Sequence, residues 1–223
     1  PDMIVTRDWF WPDVVTGVER IKATQHIFSN LVDLFYLKLI TTYGRAEVGK
    51  RDIELLKYNQ FDSDFTNPIV KECRGLIIDK QTLDPVALSF KKFWEVEVEE
   101  LADDIDWKSA RVQEKIDGSK ILIFWNKYDN KWQYTTSGNL NAYEATVNDF
   151  GTTFGVLFEK ALENNLYTKE SFELNLLNNY CYTFELVSPE NKIVVPYKQA
   201  DLYFIGCRNT ETFEEIKPTH YNE

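Results

Sequence analysis

The sequence is short of the residues that staple small domains or hold metals in them. It has three cysteines in 223 residues, Cys73, Cys181 and Cys207. An odd count without paired spacing argues against a disulfide framework and a zinc site. Two of the three lie in apolar, strand-like runs, so buried free thiols in a reducing cytosol are expected. The two histidines, His26 and His220, have no Ser, Cys or acidic companion at an informative spacing. No G-x-x-x-x-G-K stretch is present, which argues against a P-loop ATPase. No apolar run approaches the length of a membrane span. The opening Pro1-Asp2-Met3-Ile4 lacks the basic-then-apolar order of a signal peptide. Internal repeats, low-complexity tracts and linkers are absent too. Positive charge is also scarce, the formal net charge being −11. That balance weighs against nucleic acid as a partner without excluding it, because a local basic groove governs binding more than the sum does.

Aromatic residues are plentiful, with 6 Trp, 12 Tyr and 15 Phe in a chain that is 43% hydrophobic. Such a chain can bury a sizeable core, and its length fits one large domain or a domain with an appendage. Residues 1–60 read as a mainly helical N-terminal portion of that domain. Ile27, Leu31, Leu34, Phe35 and Leu39 recur at spacings of three and four after a cap at Ser29 or Asn30, and Gly44 ends the helix. Arg51 to Tyr58 reads as another short helix, and Asn67-Pro68 as a turn.

From about residue 70 the texture changes to strands. They are expected at Cys73–Asp79, Pro85–Phe90, Arg111–Lys115, Ile121–Trp125 and Trp132–Thr136, with a hairpin turn at Asp129-Asn130. Three more are expected at Cys181–Val187, Ile193–Tyr197 and Leu202–Cys207. Tyr143 to Glu163 is the strongest helical pattern, with Val147, Phe150, Phe154, Leu157, Phe158 and Ala161 on one face. The class is α+β: antiparallel sheets flanked by helices, behind the helical N-terminal portion.

The chemistry centres on Glu114-Lys115-Ile116-Asp117-Gly118-Ser119-Lys120, between two expected strands. A lysine two before Asp-Gly marks enzymes that attack a nucleotide with an amine. Alone the pattern is weak, since K-x-D-G arises by chance in about one chain in twenty of this length. A surface lysine in a hairpin is the bland alternative. An unperturbed lysine, pKa about 10.4, is neutral about 0.04% of the time at pH 7, a penalty of roughly 4.6 kcal/mol. A nucleophilic Lys115 therefore needs nearby cations or desolvation, and Arg74, Lys92 and a bound metal are the candidates. Asp117 can orient the amine or hold a metal through water, and Gly118 lets the backbone approach a phosphate or ribose.

Arg74, in Glu72-Cys73-Arg74-Gly75, is either an edge-strand ion-pair residue or a bidentate holder of phosphate. Phe90-Lys91-Lys92-Phe93-Trp94 is either a strand with its lysines in water or a segment whose lysine reaches the β- and γ-phosphates. Glu185, within Tyr182-Thr183-Phe184-Glu185-Leu186-Val187, is costly to bury without a partner. It faces either solvent or a site where it accepts a ribose hydroxyl or contacts a hydrated metal. Strand alternation then sends Phe184 and Leu186 to the other face.

In this order the pieces resemble the bacteriophage RNA ligase 1 family of ATP-dependent RNA ligases. The resemblance rests on Glu72-Cys73-Arg74-Gly75-Leu76, Phe90-Lys91-Lys92-Phe93-Trp94, Glu114 to Ser119, Thr136-Ser137-Gly138 and, most distinctively, Phe184 to Val194. It implies a nucleotidyltransferase (ATP-grasp-like) fold, with residues 61–223 as an adenylyltransferase core that is incomplete at its C-terminus. It implies that Lys115 forms a lysyl-AMP from ATP with Mg²⁺ (or Mn²⁺), that AMP passes to an RNA 5′-phosphate, and that a 3′-hydroxyl then seals the strand. Arg74, Lys92, Glu114, Asp117, Gly118 and Glu185 are the nucleotide-binding set it implies, and RNA repair in the host cytosol is the setting. Ser137 stands where the family often has a lysine. The family's later Glu-Gly strand and lysine pair have no match after Asp201, so impaired adenylylation is expected. A DNA ligase or capping-type enzyme, and a non-catalytic domain that binds RNA ends or nucleotide, are the alternatives; an acidic protein-interaction domain is a third.

Overall fold

Successive side chains of the strand after Gly118 feed two different cores. Ile121 and Ile123 pack with Tyr134, Leu157, Phe158, Ala161, Phe184 and Leu186. Leu122 and Phe124 pack with Ile53, Leu55, Ile77, Val86, Ala87 and Cys181. A strand buried on both faces loses the apolar–polar alternation of a half-exposed one, and this one therefore reads as the unbroken run Ile121-Leu122-Ile123-Phe124.

The computed structural model describes residues 3–6, 40–48 and 51–58, then, with short breaks, 61–93 and 106–147, and finally 151–216. Its strands are β1 (Met3–Thr6), β2 (Ile40–Val48), β3 (Arg51–Tyr58), β4 (Arg74–Asp79), β5 (Pro85–Ala87), β6 (Arg111–Glu114), β7 (Ser119–Asn126), β8 (Lys131–Thr136), β9 (Tyr180–Val187), β10 (Asp201–Asn209) and β11 (Glu215–Ile216). The helices are α1 (Pro68–Glu72), α2 (Phe154–Asn164) and α3 (Lys169–Glu173). All pairings are antiparallel. A five-stranded sheet runs β11-β10-β9-β7-β8, a four-stranded sheet runs β2-β3-β4-β5, and β1 pairs with β6. The larger sheet packs α2 on one face and the smaller sheet on the other.

Several expectations change. Arg51–Tyr58 is a strand, not a helix, and Gly44 lies at a register shift within the β2–β3 ladder rather than at a helix end. Ile53, Glu54, Leu55 and Leu56 are all buried in succession, so β3 shows no alternation and its i, i+3 spacing imitates a helix. The helix expected around Ile27–Leu39 lies outside the described residues, as do His26 and His220. The helix expected from Tyr143 begins at Phe154. Gly151 at φ +80° breaks the chain, and the Thr153 hydroxyl caps the new start by accepting the Val156 N–H.

Ile193–Tyr197 is not a strand. The N–H groups of Val194 and Val195 both donate to the Asp117 carboxylate, so they are unavailable to a ladder. Cys73 and Cys181 are buried free thiols, and Cys207 is half-buried.

Two polar ties fasten the layers. Arg208 on β10 forks onto Glu72 of α1 at 2.6 and 3.2 Å and also donates to the Ser89 carbonyl at 3.1 Å. On the helix side, Tyr134 donates to Glu173, Tyr143 donates to Glu159, and Lys169 donates to Tyr143.

Candidate active site

Lys115 follows the last residue of β6 and is exposed, while Ile116 to Lys120 are half-buried. The turn between them is held by the loop after β9. One Asp117 oxygen accepts the N–H groups of Val194 and Val195, each at 2.7 Å, and the Asp117 N–H donates to the Tyr197 hydroxyl at 3.3 Å. The two loop N–H groups, with a smaller contribution from Lys115, hold the Asp117 carboxyl below the usual carboxylate range. Asn191 adds a second hook, its amide donating to Ser119 Oγ at 3.0 Å and to the Leu186 carbonyl at 3.3 Å. The Ser188–Val195 segment thus clasps the lysine turn, which accounts for the length of the Phe184–Val194 motif. Ile193, Val194 and Val195 remain exposed.

Gly118 has a steric reason to be glycine within the fold itself. A Cβ there would fall 2.5 Å from the Leu186 carbonyl oxygen and 2.9 Å from Val187 Cγ1. The missing side chain makes room for β9. That close approach lets the Gly118 N–H reach the Glu185 carboxylate.

Glu185 is the centre of charge. Burial pushes its carboxyl pKa up, against the Gly118 N–H and the positive charges of Lys115, Lys120 and Arg74, which favour the ionised form. Lys120 stands opposite it across the β7–β9 ladder. The Lys120 ammonium donates to the Arg74 carbonyl at 2.6 Å and to Ser89 Oγ at 3.2 Å. Burial, helped by the nearby charges of Arg74 and Lys57 and opposed by Glu185, lowers its pKa to about 7.

Arg74 opens β4, with its guanidinium carbon 3.9 Å from the Phe93 ring centroid and 5.2 Å from that of Phe90. Burial pulls its pKa down, while Tyr58 and Glu185 pull it up. Its Nη1 is buried without a hydrogen-bond partner. A buried guanidinium N–H left unpaired is costly, and an anion resolves it. The donor set therefore suits a nucleotide phosphate.

Of the residues expected at a site, Arg74, Lys115, Asp117, Gly118 and Glu185 come together. Lys92 joins less directly. Its ammonium lies 5.0 and 4.8 Å from the ring centroids of Tyr58 and Phe65, and Tyr58 also acts on Arg74. Glu114 ends β6, exposed, on the side facing Tyr203. Lys120, Ser89 and Asn191 were not expected. For Lys120 a signal existed: it shares strand parity with Leu122 and Phe124, so it faces the second sheet rather than water. Among the described residues no group of three or more His, Cys, Asp or Glu could hold a metal ion.

The sequence profile of a family described as RNA ligase matches residues 72–223. A protein of Autographa californica nuclear polyhedrosis virus named "Putative bifunctional polynucleotide kinase/RNA ligase" is 33% identical over 212 residues, covering 87% of this chain and 28% of that protein. An RNA ligase of Rhodothermus phage RM378 is 29% identical over 107 residues, covering 45% of this chain and 23% of that protein. The chain thus spans about a quarter of the length of the curated relatives it matches. A profile match over more than half of the chain, through the very segments that build the Arg74–Lys115–Glu185 cluster, assigns it: this chain belongs to the RNA ligase family.

Proposed function

We propose that this chain is the nucleotide-attaching part of an ATP-dependent RNA ligase, acting on RNA with 5′-phosphate and 3′-hydroxyl ends in the cytosol of the host cell. The observation that carries the reading is the convergence of Lys115, Lys120 and Arg74 on Glu185, with one Arg74 N–H buried and unpaired. In the proposed reaction the Lys115 amine, once deprotonated, attacks the α-phosphorus of ATP. A P–N bond forms, the bond to the β-phosphate oxygen breaks, and pyrophosphate leaves. A 5′-phosphate oxygen of RNA then takes the AMP from Lys115, and a 3′-hydroxyl displaces it. Arg74 neutralises phosphate charge with fixed donors, which requires no reorganisation as the reaction proceeds. Glu185 accepts a ribose hydroxyl, and Lys92 is assigned to the outer phosphates. A divalent cation, Mg²⁺ or Mn²⁺, neutralises phosphate charge when bound.

Asp117 and Gly118 serve by holding the turn that presents Lys115, as their contacts to the Val194–Val195 backbone and to β9 support. No helix among the described residues is long and apolar enough to cross a membrane.

The test is covalent labelling with α-labelled ATP or GTP, followed by a chase with 5′-phosphorylated RNA or DNA. Label from ATP that transfers to RNA is expected. Labelling by GTP alone points to a capping-type enzyme, and transfer to DNA alone to a DNA ligase. Nucleotide binding without label, unchanged in Lys115→Ala, overturns the catalytic reading in favour of a binding domain.

A further inference from the structure

Lys120 is a charged residue on the inner face of a buried strand, and its surroundings are built around it. Its amine leaves the five-stranded sheet and ends on the four-stranded one, on the main-chain carbonyl of Arg74 and the hydroxyl of Ser89. The residue after Arg74 is glycine for a backbone reason. Gly75 has φ +93°, a conformation side chains rarely adopt, and the Lys120 amine lies against it, 2.9 Å from where a Cβ would stand. Ser89 is buried, and its carbonyl is held from the other side by Arg208, itself forked onto Glu72. Arg74 is thus fixed at its backbone by Lys120 and along its side chain by Phe93 and Phe90, while its Nη1 is left unpaired.

We propose that Lys120 is a positioning residue: by gripping the Arg74 carbonyl and Ser89 hydroxyl across the gap between the two sheets, it holds the Arg74 guanidinium ready to receive a phosphate of the nucleotide. The proposal deepens the nucleotide-binding reading above and rests on it. Lys120 acts through Arg74 rather than on the ligand, because two of its three donors are directed at the Arg74 carbonyl and the Ser89 hydroxyl and its amine is packed against Gly75. Fixing a guanidinium in its bound orientation saves the ordering cost that a free side chain meets on binding.

The experiment is a double-mutant cycle on the full chain, with binding of α,β-methylene-ATP read by calorimetry. Lys120→Met is expected to weaken binding about tenfold. The milder Ser89→Ala is expected to weaken it about two- to threefold, and covers the case in which Lys120→Met fails to fold. The discriminating arm is the Arg74→Met background, where adding either change is expected to leave affinity unaltered, since nothing remains to be positioned. A merely structural loss would persist in the Arg74→Met background, so the cycle separates positioning of Arg74 from a general loss of folding. Unchanged binding in Lys120→Met overturns the proposal. So do losses that multiply in the Arg74→Met background, which assign Lys120 to the ligand itself. If Arg74→Met binds as wild type does, Arg74 is not the phosphate holder and the proposal also fails, whereas the wider nucleotide reading is judged separately by whether Lys115 is labelled.

Discussion

Replacing Glu72 by Gln removes one charge from the Glu72–Arg208 fork and leaves its shape. The two side chains are 4% and 6% exposed, and the shorter contact is 2.6 Å, so solvent cannot compensate. Arg208 would keep the Ser89 and Phe213 carbonyls as acceptors but lose the carboxylate opposite it. Breaking a buried ion pair from one side costs about 3–5 kcal/mol. With the carbonyl bonds intact the low end applies, about 3 kcal/mol. For a chain of this size each kcal/mol lowers Tm by roughly 2–4 °C, so a fall of about 6–12 °C is expected. The assay is thermal unfolding followed by circular dichroism, with Lys131→Ala as the reference. Lys131 and Asp129 form an ion pair with side chains 63% and 28% exposed, and such a surface pair is worth about 0–1 kcal/mol. A Glu72→Gln shift no larger than that of Lys131→Ala would show that Arg208 does not tie the sheets together.

Further outcomes concern Gly118, Asp117 and Lys120. Gly118→Ala should cost about 1–3 kcal/mol, as forced overpacking does, because the methyl meets β9 backbone 2.5 Å away; an unchanged urea midpoint refutes this. Asp117→Ala should speed amide exchange of Val194 and Val195 by on the order of tenfold, the loss expected when a hydrogen-bonded segment opens more readily, while Val187 exchange stays as it was. In the wild type that protection should survive as pH falls to about 3.9, the ordinary Asp value, because the two loop N–H groups hold the folded carboxyl lower; it should be lost only below that. Burial, with Arg74 and Lys57 against Glu185, sets Lys120 at about 7 in the fold, whereas an unfolded lysine titrates near 10.4. The unfolded chain therefore binds more protons between those values, and wild-type stability should rise relative to Lys120→Met across that window, by up to about 1.4 kcal/mol per pH unit. A flat difference between pH 7 and 10 contradicts the enclosed amine.

Local chemistry was legible where one residue type had one use. The hairpin at Asp129-Asn130 lies where it is expected, with Asn130 at φ +51°, and the strands from Arg74, Arg111, Ser119, Lys131, Tyr180 and Asp201 overlap the stretches read as strands. Legibility failed where two faces were buried at once, since Ile53 to Leu56 carry no period that separates strand from helix. It failed again where tertiary bonds replaced a ladder, as at Val194 and Val195, whose partner is Asp117, far away in sequence. Within the site, the motif residues could be named from their order along the chain. The contact between Lys120 and the Arg74 carbonyl depends on how two sheets stack, which no spacing encodes.

The central claim is that Lys115 carries the nucleotide. Peptide mass spectrometry after prolonged incubation of the chain with ATP and Mg²⁺ tests it most directly. One adenylate on Lys115, absent from Lys115→Ala, is the predicted result. No adduct at all, or an adduct on Lys120 or another lysine with Lys115 bare, would contradict it.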